Sequence, residues 1–350
     1  MGDLGLAFAS MSPLHRRVST AVAGVLASLA AVGCGGAGDD ERSELANSLE
    51  GLGRGVSAAG SGFGWADLSA VRRPADLEWA ANALGPGADD LLDDRNAIAR
   101  GTGFSTDEAS AAVSIAGSYT LGARFDGTTG GRLPRLLLAA GARSRRAGEW
   151  MLFNLGGWAE GQTKGPLAPL GALASRVAVG PDAVVLARYG PARRSLIAQE
   201  GSVLDTADAE LKAGIDCLGD VDAARLIPGN FTHQPGSSPE MIAIGIGAAE
   251  SGHRPETLCA VFESVDEADE AASELRAAFA PDATDEVTRR PIAESVEEVE
   301  VERTDLEGTA VAKAVLRPAT GVRPGLLFGA FVRGSLLTYL GADRPFERSP

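Results

Sequence analysis

Two histidines, His233 and His253, stand in the polar stretches Phe231-Thr232-His233-Gln234-Pro235 and Ser251-Gly252-His253-Arg254-Pro255. If those loops met, two imidazole nitrogens would face a common metal. Neither has a further ligand at metal-site spacing, so exposed loop residues and no metal are expected. The run Asp89-Asp90-Leu91-Leu92-Asp93-Asp94 sets Asp90 and Asp94 one helical turn apart with Asp93 adjacent, an array of oxygens that calcium would accept. It lacks the alternating ligands and glycine of a calcium loop. Acidic residues just after Gly85-Pro86-Gly87 also suit a helix start, where the dipole favours negative charge. Asp67, Asp126 and Asp220 would serve as the acid and base of a hydrolase only if two of them faced each other across a pocket. Trp65, Trp79, Trp150 and Trp158 offer stacking faces for a sugar or aromatic ligand, or large core side chains. The chain has no Gly-x-Ser-x-Gly, Ser-x-x-Lys or His-Glu-x-x-His, and Gly245-Ile246-Gly247 lacks the third glycine of a dinucleotide turn. No catalytic residue and no cofactor is therefore assigned.

A different chemistry is written near the N-terminus. His15, Arg16 and Arg17 precede an apolar run, Val18 to Val32, that stops at Gly33-Cys34. Its 15 residues fall short of the roughly 20 that span a bilayer as a helix. Gly33 is small enough for a peptidase to reach the bond, and the Cys34 thiol is free to take a diacylglycerol group. On Ala31-Val32-Gly33-Cys34 the segment resembles the lipobox signal peptide of bacterial lipoproteins, departing from it at Ala31, where leucine is usual. The resemblance implies removal of residues 1–33, a lipid on Cys34, and residence on the outer face of the cytoplasmic membrane. Met11 offers an alternative start with a more usual basic region. Residues 34–61, rich in Gly, Ser, Ala, Asp and Glu, are expected to form a flexible tether, within which Glu41 to Leu52 has the makings of a short helix.

Export bears on the other cysteines. With Cys34 lipidated, Cys217 and Cys259 remain, and in an oxidising compartment they are expected to pair. The whole chain carries a net charge of −15; without residues 1–33, 30 basic residues face 46 acidic ones. Such a surface repels nucleic acid and anionic head groups, so no nucleic-acid role is expected. The partners left are the membrane through Cys34 and an envelope protein or small ligand.

The elements that must position these residues follow from periodicity. Tyr119 to Phe125 alternates as a strand; Leu133, Leu136, Leu137 and Ala140 recur as a helix stopped by Gly141. Strands follow at Trp150 to Leu155, Arg176 to Val179 and Ala183 to Tyr189, the last two joined by a Gly180-Pro181-Asp182 turn. This order, with Phe125-Asp126 and then a hairpin carrying Val177 to Asp182, resembles uncharacterised exported bacterial proteins, and it carries over no site residue. Later come strands Met241 to Ile246 and Thr257 to Phe262, and a helix Val265 to Phe279 begun by a Ser264/Glu267 capping box. Further strands are expected at Val296 to Arg303, Thr309 to Leu316, Leu326 to Val332 and Leu336 to Leu340. Ser105 and Glu108 repeat the capping spacing ahead of a helix over Ala109 to Ile115. The similar order suggests a duplication, with Gly64 to Leu68 and Leu218 to Asp222 in corresponding places. The expected fold is α+β in two similar lobes, 62–205 and 206–345, each an antiparallel sheet with helices packed on one face. The cleft between them is the expected ligand site.

Overall fold

The computed structural model describes residues 43–53, 62–71, 76–86, 88–117, 121–156, 165–197, 201–229, 239–250, 253–285 and 290–340. The expected signal peptide, Cys34, His233 and Trp158 lie outside the described residues, as do 35–42 and 54–61 of the tether.

Twelve strands form one open sheet. In chain order they are β1 Gly62–Asp67, β2 Ala111–Ala116, β3 Gly122–Asp126, β4 Arg143–Ala147, β5 Trp150–Asn154, β6 Arg176–Val179, β7 Ala183–Ala187, β8 Ala223–Pro228, β9 Met241–Ile246, β10 Glu256–Phe262, β11 Val296–Leu306 and β12 Thr309–Pro318. Their order across the sheet is β11-β12-β10-β9-β8-β1-β2-β3-β7-β6-β5-β4, and every neighbouring pair is antiparallel. The two expected sheets are thus one, continuous through the β1–β8 pairing of Phe63 with Leu226 and Trp65 with Ala224. No parallel β-α-β unit occurs among the described strands.

The helices are α1 Glu44–Glu50, α2 Asp76–Leu84, α3 Ala88–Asp93, α4 Arg95–Thr102, α5 Leu133–Ala139, α6 Gly190–Leu196, α7 Ala209–Leu218, α8 Val265–Ala278, α9 Leu326–Val332 and α10 Leu336–Tyr339. They cover both faces of the sheet, where one covered face was expected. The strand sequences explain it. β9 and β10 are buried at every position, so their alternate side chains feed two cores: Leu258, Ala260 and Phe262 face α2, α8, α9 and α10, while Cys259 and Val261 face α7. The second core also takes Leu45 and Leu49 of α1 with Leu52, all at most 1% exposed. Residues 43–53, expected within the tether, are therefore part of the folded body.

Three expected elements change type. Ala109 to Ile115 is not a helix but mostly β2, whose Val113 and Ile115 enter one core and Ala112 the other. Ser105 makes no capping bond, and Thr106–Glu108 is a single 3-10 turn. Leu326 to Val332 and Leu336 to Leu340 carry α9 and α10 rather than strands, because Leu327, Phe328, Ala330, Leu336 and Tyr339 are spaced to bury one helical side against a face of the sheet. Strands β1, β4 and β8 were not foreseen.

One local determinant sits at the sheet centre. A Cβ on Gly64 in β1 would lie 2.4 Å from the Ala83 carbonyl oxygen and 2.7 Å from Leu84 Cα, so only glycine lets α2 descend onto the strand. Ser114 on β2 donates its hydroxyl to the Leu84 carbonyl and fixes the end of that helix. The open edges are both charged: β4 exposes Arg143, Arg145 and Arg146, and β11 exposes Glu297, Glu298, Glu300 and Glu302. Charge on an edge strand opposes pairing with another chain.

Candidate functional site

Where α2 meets α9, a cavity of about 400 Å³ opens between elements from the first and second halves of the chain. The sheet runs continuously from one half to the other among the described residues, so the expected cleft between lobes does not separate it. Trp79, Val322 and Leu326 supply apolar walls, and Glu78, Asp285, Arg323 and Arg333 bring charges of both signs to the rim and lining. The volume suits a small organic ligand.

Each wall has a local cause. Trp79 comes from the buried side of α2, and the Arg254 guanidinium stacks over its ring at 5.3 Å to the centroid. Arg254 is held in turn by an ion pair to Asp222 and by donation to the Ala70 carbonyl at 3.2 Å. The loop ahead of α9 is held by Glu256, the first residue of β10. Its carboxylate is 1% exposed and accepts the amides of Gly325 at 2.7 Å, Leu326 at 3.0 Å and Leu327 at 2.8 Å. These are the orphan donors of a helix start, and a carboxylate satisfies them best. Burial pushes the Glu256 carboxyl above its ordinary range, against the opposing pull of the three amide bonds. Gly325, at φ 114°, makes the turn that presents those amides together. Deeper in, Arg225 of β8 donates to the Asn82 carbonyl at 2.9 Å and lies 4.8 Å from the Phe331 ring centroid, tying α2 and α9 to one strand. Burial lowers its pKa to about 10.

Of the residues singled out from sequence, Cys217 at the end of α7 and Cys259 in β10 are joined, Sγ to Sγ 2.06 Å, fastening the helix to the sheet. His253 directs Nδ1 to the Pro318 carbonyl at 3.0 Å, and no group of three or more metal-ligating side chains forms among the described residues. Asp89, Asp90 and Asp93 lie on α3, with Asp94 at the start of α4; burial, then the neighbouring aspartates, raises the Asp90 pKa. Asp67 and Asp126 share a cross-strand row, each opposite Ala111. Asp67, however, accepts from the Ser69 amide at 2.8 Å and the Ser69 hydroxyl at 2.6 Å, and Asp126 is paired with Arg124 at 2.7 Å. Asp220 is exposed ahead of β8. The three are not brought around a common cavity. Trp65 and Trp79 are core side chains at 1% exposure, and Trp150 packs at the side of the second core.

Sequence reasoning missed Glu256, Arg254, Arg323 and Arg333. Glu256 alone left a signal, a carboxylate at the head of the apolar run Thr257 to Phe262. Its partners are 69 to 71 residues away, a distance that no local pattern encodes. Compared with protein-family models, curated proteins and solved structures, the chain matches none.

Proposed function

We propose that this chain is a lipid-anchored protein of the cell envelope, held through Cys34 on the outer face of the cytoplasmic membrane, that binds a small ligand in the cavity between α2 and α9. The observation that carries the anchoring is Gly33-Cys34 at the end of the Val18–Val32 apolar run behind Arg16 and Arg17. The Cys217–Cys259 bond supports it, since such bonds persist in oxidising compartments. Binding is supported by the cavity's lining, where Val322, Pro324 and Leu326 meet Glu78, Asp285, Arg323 and Arg333, a mixture that suits a small molecule bearing both signs of charge.

The same reading takes the two halves as copies of one unit. In each, a three-strand meander (β1-β2-β3, β8-β9-β10) is followed by a helix (α5, α8), and the last strand (β7, β12) returns beside the third. The copies would correspond at β1 and β8, which displaces the expected match of Gly64 to Leu68 with Leu218 to Asp222, a segment that precedes β8.

The test is the intact mass of protein extracted from membranes, with and without Cys34→Ala. A chain beginning at Cys34 with a diacylglycerol adduct, absent in the variant, supports the anchor. An unmodified chain retaining residues 1–33 overturns it.

A further inference from the structure

At the β4 end of the sheet a cluster of arginines forms on the face that carries α6. Arg143 of β4 pairs with Asn154 of β5, which pairs with Arg176 of β6, so the three side chains stand in one row on one face. Arg193 reaches this row from α6. It is 6% exposed, and its Nη1 donates to Asn154 Oδ1 at 2.8 Å and to the Phe153 carbonyl at 2.9 Å. Its Nε is buried with no hydrogen-bond partner. Arg176 gives Nη1 to the carbonyls of Gly156 at 3.0 Å and Ser175 at 2.8 Å. Arg145 lies on the same face one row along, opposite Leu152.

Among the described residues, the acceptors of Arg176 and Arg193 are all neutral. Of the other arginines, several meet a carboxylate: Arg95 pairs with Asp107, Arg124 with Asp126, Arg254 with Asp222, Arg303 with Asp269 and Arg317 with Glu298, while Arg132, Arg225 and Arg276 donate to carbonyls. Among the described residues no carboxylate lies within 4.0 Å of Arg143, Arg145, Arg176, Arg193 or Arg194, in a chain of net charge −15. The crowding is felt at Arg193, whose pKa burial, and then Arg176, Arg145 and Arg194, lower to about 10. With Asn154 Oδ1 occupied by Arg193, what remains around the row among the described residues is a set of donors: the Asn154 amide hydrogens and the guanidinium edges of Arg143 and Arg176. Gathering like charges with no carboxylate among the described residues costs free energy that a bound anion would recover.

We propose that the row Arg143, Asn154 and Arg176, backed by Arg193, binds a phosphate group. Donors arriving from three strands and a helix match the several oxygens of a tetrahedral oxyanion better than the two of a planar carboxylate, and guanidinium is the side chain suited to them. The phosphate is carried either by a soluble molecule or by a lipid head group. The proposal is independent of the ligand cavity and of the anchor.

The test uses the full chain with Cys34→Ala, so that no lipid on the protein contributes. Inorganic phosphate is titrated calorimetrically, and flotation is measured with phosphatidylcholine vesicles with and without phosphatidic acid. Arg143→Gln/Arg176→Gln removes exposed or half-exposed charges, and a thermal melt checks that it remains folded. Arg135→Gln, on exposed α5 against the other face, controls for general charge. The expected result is binding that falls about tenfold or more in the double variant, equivalent to about 1.4 kcal/mol, with Arg135→Gln unchanged. Binding of free phosphate assigns a soluble ligand; flotation with phosphatidic acid but no phosphate binding assigns a head group. No binding in either arm, or equal weakening by Arg135→Gln, overturns the proposal. So does a folded double variant that binds like the parent.

Discussion

Glu256→Ala is expected to lower the melting temperature by about 5 °C at pH 7.5, while Glu256→Gln costs about half as much. The parent carboxylate satisfies three amides at the start of α9. Leaving buried donors unpaired costs about 1–3 kcal/mol each. Two of the three, Gly325 and Leu326, are only part-buried and can recover water, and the variant is relieved of burying a carboxyl group, so the net cost is about 3 kcal/mol. With an unfolding entropy of about 2.1 cal/mol/K per residue over roughly 300 residues, that is about 5 °C. Glutamine retains Oε1 for Gly325 and Leu326 and turns an NH2 group toward the buried Leu327 amide, losing about 1.5 kcal/mol. A pH series separates this account from simple loss of packing. Burial raises the folded-state pKa of Glu256 above its ordinary 4.5, so the native state binds that proton more tightly than the unfolded chain does. Its contribution is present at low pH and lost as pH rises through the folded value. The parent should therefore gain on Glu256→Gln as pH falls from 7.5 toward 5. Calorimetry or circular dichroism melts of parent, Ala and Gln variants across that range give the answer. A parent–Gln gap that stays constant or shrinks on acidification, or an Ala variant melting with the parent, refutes the reasoning.

Acidification should add a smaller stabilisation through Asp90, Asp216 and Glu240, surface carboxyls raised by partial desolvation and then by neighbouring acids; a melting temperature that falls between pH 7.5 and 5.5 contradicts this. Replacing both Cys217 and Cys259 by alanine opens a cross-link of sequence separation 42 and should cost about 4 kcal/mol, or roughly 6 °C, with the reductant sensitivity of the melt lost in the variant. Gly64→Ala should destabilise by about 1–3 kcal/mol in denaturant titration, since its Cβ would meet the Ala83 carbonyl, while the milder change Ala66→Gly serves as a comparison at a site without that contact. Glu300→Val/Glu302→Val on the exposed edge β11 should promote self-association, seen as larger species in sedimentation; a profile unchanged from the parent shows that the edge is guarded by something other than charge.

What the sequence determined by itself were the features whose signal is local. The hairpin Arg176–Val179 with Ala183–Ala187, the strand Met241–Ile246 and the capped helix Val265–Ala278 were all legible, since turn residues, alternation and a Ser264 cap act within a few positions. The Cys217–Cys259 pairing was legible too, from arithmetic once export was assumed. Tertiary structure decided the rest. Ala111–Ala116 and Leu326–Val332 consist mostly of small and apolar residues that suit either a strand or a helix; pairing with β1 and β3 on both sides made the first a strand, and packing onto a face of the sheet made the second a helix. The joining of two expected sheets into one rested on β1 meeting β8, about 160 residues apart, a contact that short-range periodicity does not record. Both proposed sites share that origin. Glu256 finds its amides, and Arg143, Asn154, Arg176 and Arg193 find one another, only when strands and helices distant in sequence are brought into register.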